Sequence, residues 1–295
     1  MAATLALIAA LLFAVAATLQ QKGALNLDAV SLGNPKSLVQ LVGQRMWLFG
    51  TAALLVGYAL QAAALDRGRL AVIQPLLVTT IVFALPLGRW LTNQHVGRRE
   101  VVGAAVIVIG LAAFVIYGDP AGGKDNAPND EWAIAIAVLC AICAVLLLLG
   151  RHGTPTTIAA VYGTVAGILF GLSAALTKPT VELLHEGVGV MLSHWQCYAL
   201  AIAGILGFIL QQVSLGTGRL APSVATVSVA NPIVGVLLGI LIFDERFSRP
   251  LWHVLVAIIS LLIALGGAVL ISLASRPGSE EEARPEPAES STALA

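Results

Sequence analysis

Charge is what this chain most conspicuously lacks. Asp, Glu, Lys and Arg make up 11% of its 295 residues, while 58% are hydrophobic; soluble domains carry about 25% charged residues. That shortfall excludes an ordinary soluble domain and predicts an integral membrane protein. A net charge is missing too, because sixteen basic residues cancel sixteen acidic ones. No basic stripe gathers anywhere, so nucleic acid is excluded as a partner. Cysteine is rare: Cys140, Cys143 and Cys197 all lie inside apolar runs, where neither a disulfide framework nor a thiolate metal site belongs. The C-x-x-C spacing in "AVLCAICAVLLLLG" therefore reads as two small apolar helix residues. His152, His185 and His194 do not converge in sequence, and no metal site is expected. There is no G-x4-G-K-[ST], no nucleophile elbow and no H-E-x-x-H. Neither an enzyme nor an ATP-driven pump is expected, and no cofactor is implied.

Long apolar runs are what the chain does have. A bilayer core of about 30 Å needs roughly 20 helical residues, since backbone groups must pair internally in lipid. Nine segments qualify, near 2–20, 46–65, 70–91, 101–118, 132–150, 157–177, 194–215, 220–243 and 252–273. No basic residue precedes the first, so it is expected to be retained rather than cleaved as a signal peptide. The last twenty or so residues, "RPGSEEEARPEPAESSTALA", have no apolar periodicity and read as a solvated cytoplasmic tail. When Lys and Arg are assigned to alternating sides, ten fall on one face and six on the other. The positive-inside bias then places the amino terminus outside and the carboxyl terminus in the cytoplasm of a plasma (inner) membrane.

The chain also says one thing twice. "GYALQAAALDRGRLA" at 57–71 returns as "GFILQQVSLGTGRLA" at 207–221, with eight of fifteen positions identical at an offset of 150. "LFAVAATL" at 12–19 returns as "LFGLSAAL" at 169–176, and the exit "NQHVGR" at 93–98 corresponds to "DERFSR" at 244–249. An odd number of crossings separates the copies, so they should lie upside down to one another, with Arg69 and Arg219 on opposite faces. The expected organisation is an all-α membrane protein of two inverted four-helix units: 1–118, then a loop and linking helix over 119–156, then 157–274, then the tail 275–295. Inverted duplication is how many secondary transporters alternate access to a central site. A duplicated scaffold or assembly subunit that carries no solute would show the same pattern.

These residues give a resemblance. "NPIVGVLLGILIFDERFSRPLW" at 231–252 is similar to the proline-containing helix and "GER"-like exit that end the repeats of the drug/metabolite transporter superfamily of EamA-like proteins, with Asp244, Glu245 and Arg246 at the Gly-Glu-Arg positions. Nine spans with an odd fifth, together with "TLQQKGAL" at 18–25 and "RLAVIQPLLV" at 69–78, resemble the NIPA-type magnesium transporter branch. The first unit departs from the pattern, since its exit "LTNQHVGRRE" has no acidic pair where one is expected. The resemblance implies secondary transport, with a small polar solute or a hydrated cation such as magnesium as the cargo.

The chemistry available to such a cargo is sparse. Asp66, Asp119, Glu131, Glu182, Glu186, Asp244 and Glu245 are all expected at span ends or in loops. That argues against a dry carboxylate cage for a divalent ion, but not against a hydrated one. Polar groups within spans concentrate on the third helix of each unit: Gln74, Thr79 and Thr80, then Ser223, Thr226, Ser228 and Asn231. Pro75 follows Gln74 and Pro232 follows Asn231, and each proline removes one helical hydrogen bond, freeing the carbonyls of Ala71 and Ser228. Amides beside interrupted helices suit a polar ligand, so Gln74 and Asn231 lead, followed by Thr79, Thr226 and Ser228. Gln61 and Gln211 could line the same cavity or hold the repeated helix contact. Lys22 and Lys178, just past the opening helices, either snorkel to the interface or line a vestibule. Gly103, Gly110 and Gly118, and Gly163, Gly167 and Gly171, form small-residue seams that permit close approach within the bundle or in a homodimer.

Overall fold

The computed structural model describes residues 1–25, 43–92, 97–118, 120–124, 126–150, 153–216, 220–247 and 250–274. Among them the helices, in chain order, are α1 (Ala2–Leu25), α2 (Arg45–Arg67), α3 (Leu70–Leu77), α4 (Thr79–Thr92), α5 (Arg98–Gly118), α6 (Asn129–Gly150), α7 (Pro155–Glu186), α8 (Val188–Ser193), α9 (Trp195–Gly216), α10 (Leu220–Leu241) and α11 (Leu251–Ala274). A two-stranded ribbon pairs β1 (Pro120–Gly122) antiparallel with β2 (Glu245–Phe247), placing Gly122 opposite Glu245. Seven helical segments are long and apolar enough to cross a membrane, and Trp195–Gln211 and Thr226–Leu241 are shorter apolar stretches. The chain is an all-α multi-pass membrane protein. Arg219, the exit residues 93–96 and the tail from 275 lie outside the described residues.

Leu, Ile and Val cover the outside of the bundle, and α6 turns most of its length outward. Lipid is as apolar as leucine, so the helices are held by close packing and by hydrogen bonds between them. The small residues supply the close packing. A Cβ on Gly57 of α2 would stand 2.7 Å from the Phe13 ring of α1, and one on Gly207 of α9 would stand 3.0 Å from the Phe170 ring of α7. Leu12 and Leu169 complete the two contacts in the same way. The repeated "LF" pair therefore seats against the repeated glycine in both halves of the chain.

Two further crossings join the halves. In the first, Gly103 of α5 lies against Gly267 and Ile271 of α11, and Gly110 lies against Ser260 and Ala264. Residue numbers rise along one helix as they fall along the other, so α5 and α11 run antiparallel. In the second, α3 meets α10 with Ala71 beside Gly239 and Gln74 beside Gly235, which is also antiparallel. Gly167 and Gly171 of α7 face Ala230, Asn231 and Val234 of α10. The seam glycines resolved in these contacts are spent inside the bundle.

The third span covers its expected range as one apolar segment, Leu70–Leu91, whereas one helix boundary, that of α7, differs. The third span tightens after α3, where Val78 N–H turns back to the Pro75 carbonyl at 3.0 Å and Ile81 N–H to that of Val78 at 3.1 Å. These tighter turns follow the proline within one helical turn. By contrast α10 continues through Pro232, and α7 runs on past 177 through Pro179 to Glu186. A proline costs one backbone bond, and strong packing on both sides of these helices carries them across it.

One end of the bundle collects the ribbon, the start of α1, the end of α2, the end of α7 and the start of α9. Gly68 abuts Ala2, His185 Nδ1 stands 3.7 Å from Asp66, and the Lys178 ammonium donates to the Lys124 carbonyl at 3.1 Å. We call this the ribbon end.

Candidate functional site

The α3–α10 crossing is the most polar place in the bundle interior. Gln74 is 1% exposed, yet neither its Oε1 nor its Nε2 has a hydrogen-bond partner; Asn231 Oδ1 is likewise buried and unpaired. Leaving such groups unpaired costs about 1–3 kcal/mol each, so a buried amide without a protein partner is uncommon in a folded interior. Gly235 makes room for it, because a Cβ there would stand 3.0 Å from that of Gln74. Asn231, Gly235 and Gly239 recur every four residues and so share the face of α10 that meets α3; Ser228 continues that face toward the opposite end.

The other polar candidates are distributed differently. Thr79 is buried, and its hydroxyl donates to the Leu76 carbonyl at 2.6 Å at the α3–α4 junction. Thr226 and Ser228 are half-buried on α10. Gln61 is buried on α2 and Gln211 half-buried on α9, the helices that pack on α1 and α7, so the structure does not bring them to the α3–α10 crossing. Lys22 is half-buried in the last turn of α1, at the end away from the ribbon. Lys178, expected beyond its helix, lies inside α7 and is buried; its ammonium sits 4.8 Å from the centre of the Phe243 ring and bonds the Lys124 carbonyl. It neither snorkels freely nor stands in open solvent. Trp132 meets both Phe243 and Trp195 edge-on, which makes this an aromatic seal at the ribbon end.

Two acids at span ends or between spans are buried. Glu245 is 1% exposed. Its Oε1 accepts the Leu70 N–H and its Oε2 the Ala71 N–H, both at 2.8 Å. The carboxylate thus caps α3 from 175 residues away, satisfying two of the amides that a helix start leaves unpaired and countering its positive dipole end. Gly239 is what admits it, since a Cβ there would lie 2.7 Å from Oε2. Asp244, just before it, has φ of 53°, a left-handed conformation. Asp is among the few residues besides glycine that tolerate this geometry. Arg246 pairs with Asp244 in solvent. The second acid, Glu100, is buried in the first turn of α5, beside Gly97. Among the described residues no three His, Cys, Asp or Glu side chains gather closely enough to hold a metal ion.

A shallow apolar groove lined by Val82, Leu85, Pro86, Arg89, Val101 and Ala104 lies between α4 and α5 and does not reach the amides. The Gln74 side chain is closed off from both membrane faces in this conformation.

Known proteins place the chain as follows. An uncharacterised protein of Corynebacterium glutamicum is 30% identical over 275 residues, covering 90% of this chain and 95% of that protein. The probable magnesium transporter NIPA9 of Arabidopsis thaliana is 24% identical over 273 residues, 86% of this chain and 77% of that protein. No family profile and no solved structure matches.

Proposed function

The chain belongs to one family with the uncharacterised corynebacterial protein, which it matches over nearly its whole length, and from the α3–α10 crossing we propose that it is a secondary membrane transporter. It carries a small polar solute by alternating access, in the manner of the EamA-like drug/metabolite transporters. The observation that carries this reading is Gln74: a fully buried amide with no protein partner, at the contact between two helices that open with the same "GRLA" motif and run in opposite directions. Antiparallel packing of repeated elements supports an inverted pair of units, each able to adopt the other's conformation. Asn231 supplies a second open acceptor. The ribbon end, which holds Arg67, Lys124, Lys178 and Arg246, is the side poorer in basic residues and faces outward on this reading.

A second cargo is favoured by one specific finding, the name of the Arabidopsis relative. A hydrated magnesium ion keeps most of its waters and needs hydrogen-bond acceptors more than carboxylates. The amide oxygens of Gln74 and Asn231 fit that requirement, while the neighbouring Glu245 carboxylate is taken up by the Leu70 and Ala71 N–H groups.

The test is flux into proteoliposomes containing the purified protein, with magnesium and a panel of uncharged and zwitterionic solutes as separate arms. Gln74→Leu and Asn231→Leu proteins should insert normally and lose transport. Normal flux in both variants would remove the site, and no flux of any solute by the unaltered protein would leave the scaffold reading standing.

A further inference from the structure

The short helix α3 has an arrangement unlike its neighbours. It is eight residues long, ends at a tight turn at Val78 that separates it from α4, carries Gln74 in its middle, and begins on the carboxylate of Glu245. Its two ends are therefore held by different means. The far end is joined to α4 through Val78, whose backbone stays in the helical region while its N–H turns back to the Pro75 carbonyl at 3.0 Å, with the Thr79 hydroxyl on the Leu76 carbonyl. The near end is held by a side chain from the other half of the chain, presented by a ribbon strand and fitted through the gap at Gly239. Phe243, two residues before Glu245, accepts the Lys124 N–H at 2.8 Å through its carbonyl and meets the Lys178 ammonium with its ring. The same turn of chain thus closes the ribbon end at two places.

We propose that α3 is a gate at the ribbon end, hinged at Val78, and that Glu245 is the positioning residue that latches it shut. Held by the carboxylate, α3 keeps Gln74 sealed against Gly235. Once Glu245 releases Leu70 and Ala71, the helix start is left with unpaired amides that only water can satisfy, and α3 swings on its hinge to open the path to Gln74 from this end alone. The proposal rests on the transporter reading for its purpose, but not for its test, which uses no solute.

The experiment measures how fast buried cysteines react with a membrane-impermeant maleimide in protein whose Cys140, Cys143 and Cys197 have been replaced by serine. One reporter is Ile73→Cys, at a position 1% exposed on α3; the other is Ala159→Cys, fully buried on α7 toward the opposite end. Glu245→Ala should speed labelling at residue 73 by about tenfold or more, the factor expected from losing a charge-assisted hydrogen bond. Labelling at residue 159 should not change. Gly239→Ala should give the same end-specific increase with the carboxylate still present, because the added methyl displaces it. Glu245→Gln, which keeps one carbonyl acceptor, should fall between. Unchanged labelling at residue 73 in both Glu245→Ala and Gly239→Ala, or an equal increase at residue 159, overturns the gate. If the gate fails while Gln74→Leu still abolishes flux, the transporter reading survives; if labelling behaves as expected and no solute moves, the gate survives without it.

Discussion

Replacing Gln74 with methionine should make the protein more stable and less active. The side chain is 1% exposed with both amide atoms unpaired, and each unmet group costs about 1–3 kcal/mol. Methionine has nearly the same length and shape, and a swap of that kind costs less than about 1.5 kcal/mol in repacking. The folded state should therefore gain on the order of 1 kcal/mol or more. For a chain of this size that corresponds to a rise of about 2–4 °C per kcal/mol in melting temperature, read by thermal unfolding in detergent without added solute. Flux of the cargo through proteoliposomes should fall by at least about tenfold, the factor of a single lost hydrogen bond near 1.4 kcal/mol. A melting temperature that drops instead would show that the amide is bonded in the folded protein, and the argument that it is held in reserve for a ligand would fail.

Other substitutions probe the frame around the site. Gly110→Ala places a Cβ 2.7 Å from the Ser260 carbonyl, which cannot move without parting α5 from α11. It should cost about 1–3 kcal/mol, whereas Gly189→Ala, with nothing within 4 Å, should gain up to about 1 kcal/mol; thermal melts that reverse this order would contradict the packing. Asp244→Val should lose roughly 1–2 kcal/mol at its left-handed position, while Asp244→Gly should match or exceed the unaltered protein, since the exposed pair with Arg246 is worth at most about 1 kcal/mol. Single cysteines at Arg69 and Arg219 should react with an impermeant reagent from opposite membrane faces; labelling of both from one face would refute the inverted arrangement.

The multi-pass helical architecture is legible in the sequence because it follows from a local rule, and Gln74 and Asn231 stand out there as amides beside prolines. Apolar length has to match bilayer thickness, and an amide next to a proline in an apolar run has few reasons to be there. The pairing of "LF" with glycine was visible as two repeats, although not as a contact. Glu245 lies between spans as its place in the sequence predicts, but its burial depends on amides 175 residues earlier, and no local pattern encodes that distance. Glu100 was passed over altogether: it opens a span, where an acid looks like a solvated end, yet it is tucked in beside Gly97. Lys178 was placed past its helix because a lysine followed by Pro179 resembles an exit, while the packed face of α7 carries the helix eight residues further. Conversely Thr79, a plausible ligand by composition, is engaged by a carbonyl one turn back, a choice that hydroxyls make routinely.

The cap on α3 also fixes an order of assembly. Residue 245 is synthesised well after Leu70 and Ala71, so until then their amides lack the Glu245 acceptor. The nascent first half cannot lock its own central helix and must wait for the second. A chain stopped at Gly150 would carry α1 to α6 and still lack the carboxylate that caps α3. The capping of α3 is therefore a contact between distant parts of one chain that can form only after residue 245 has been made.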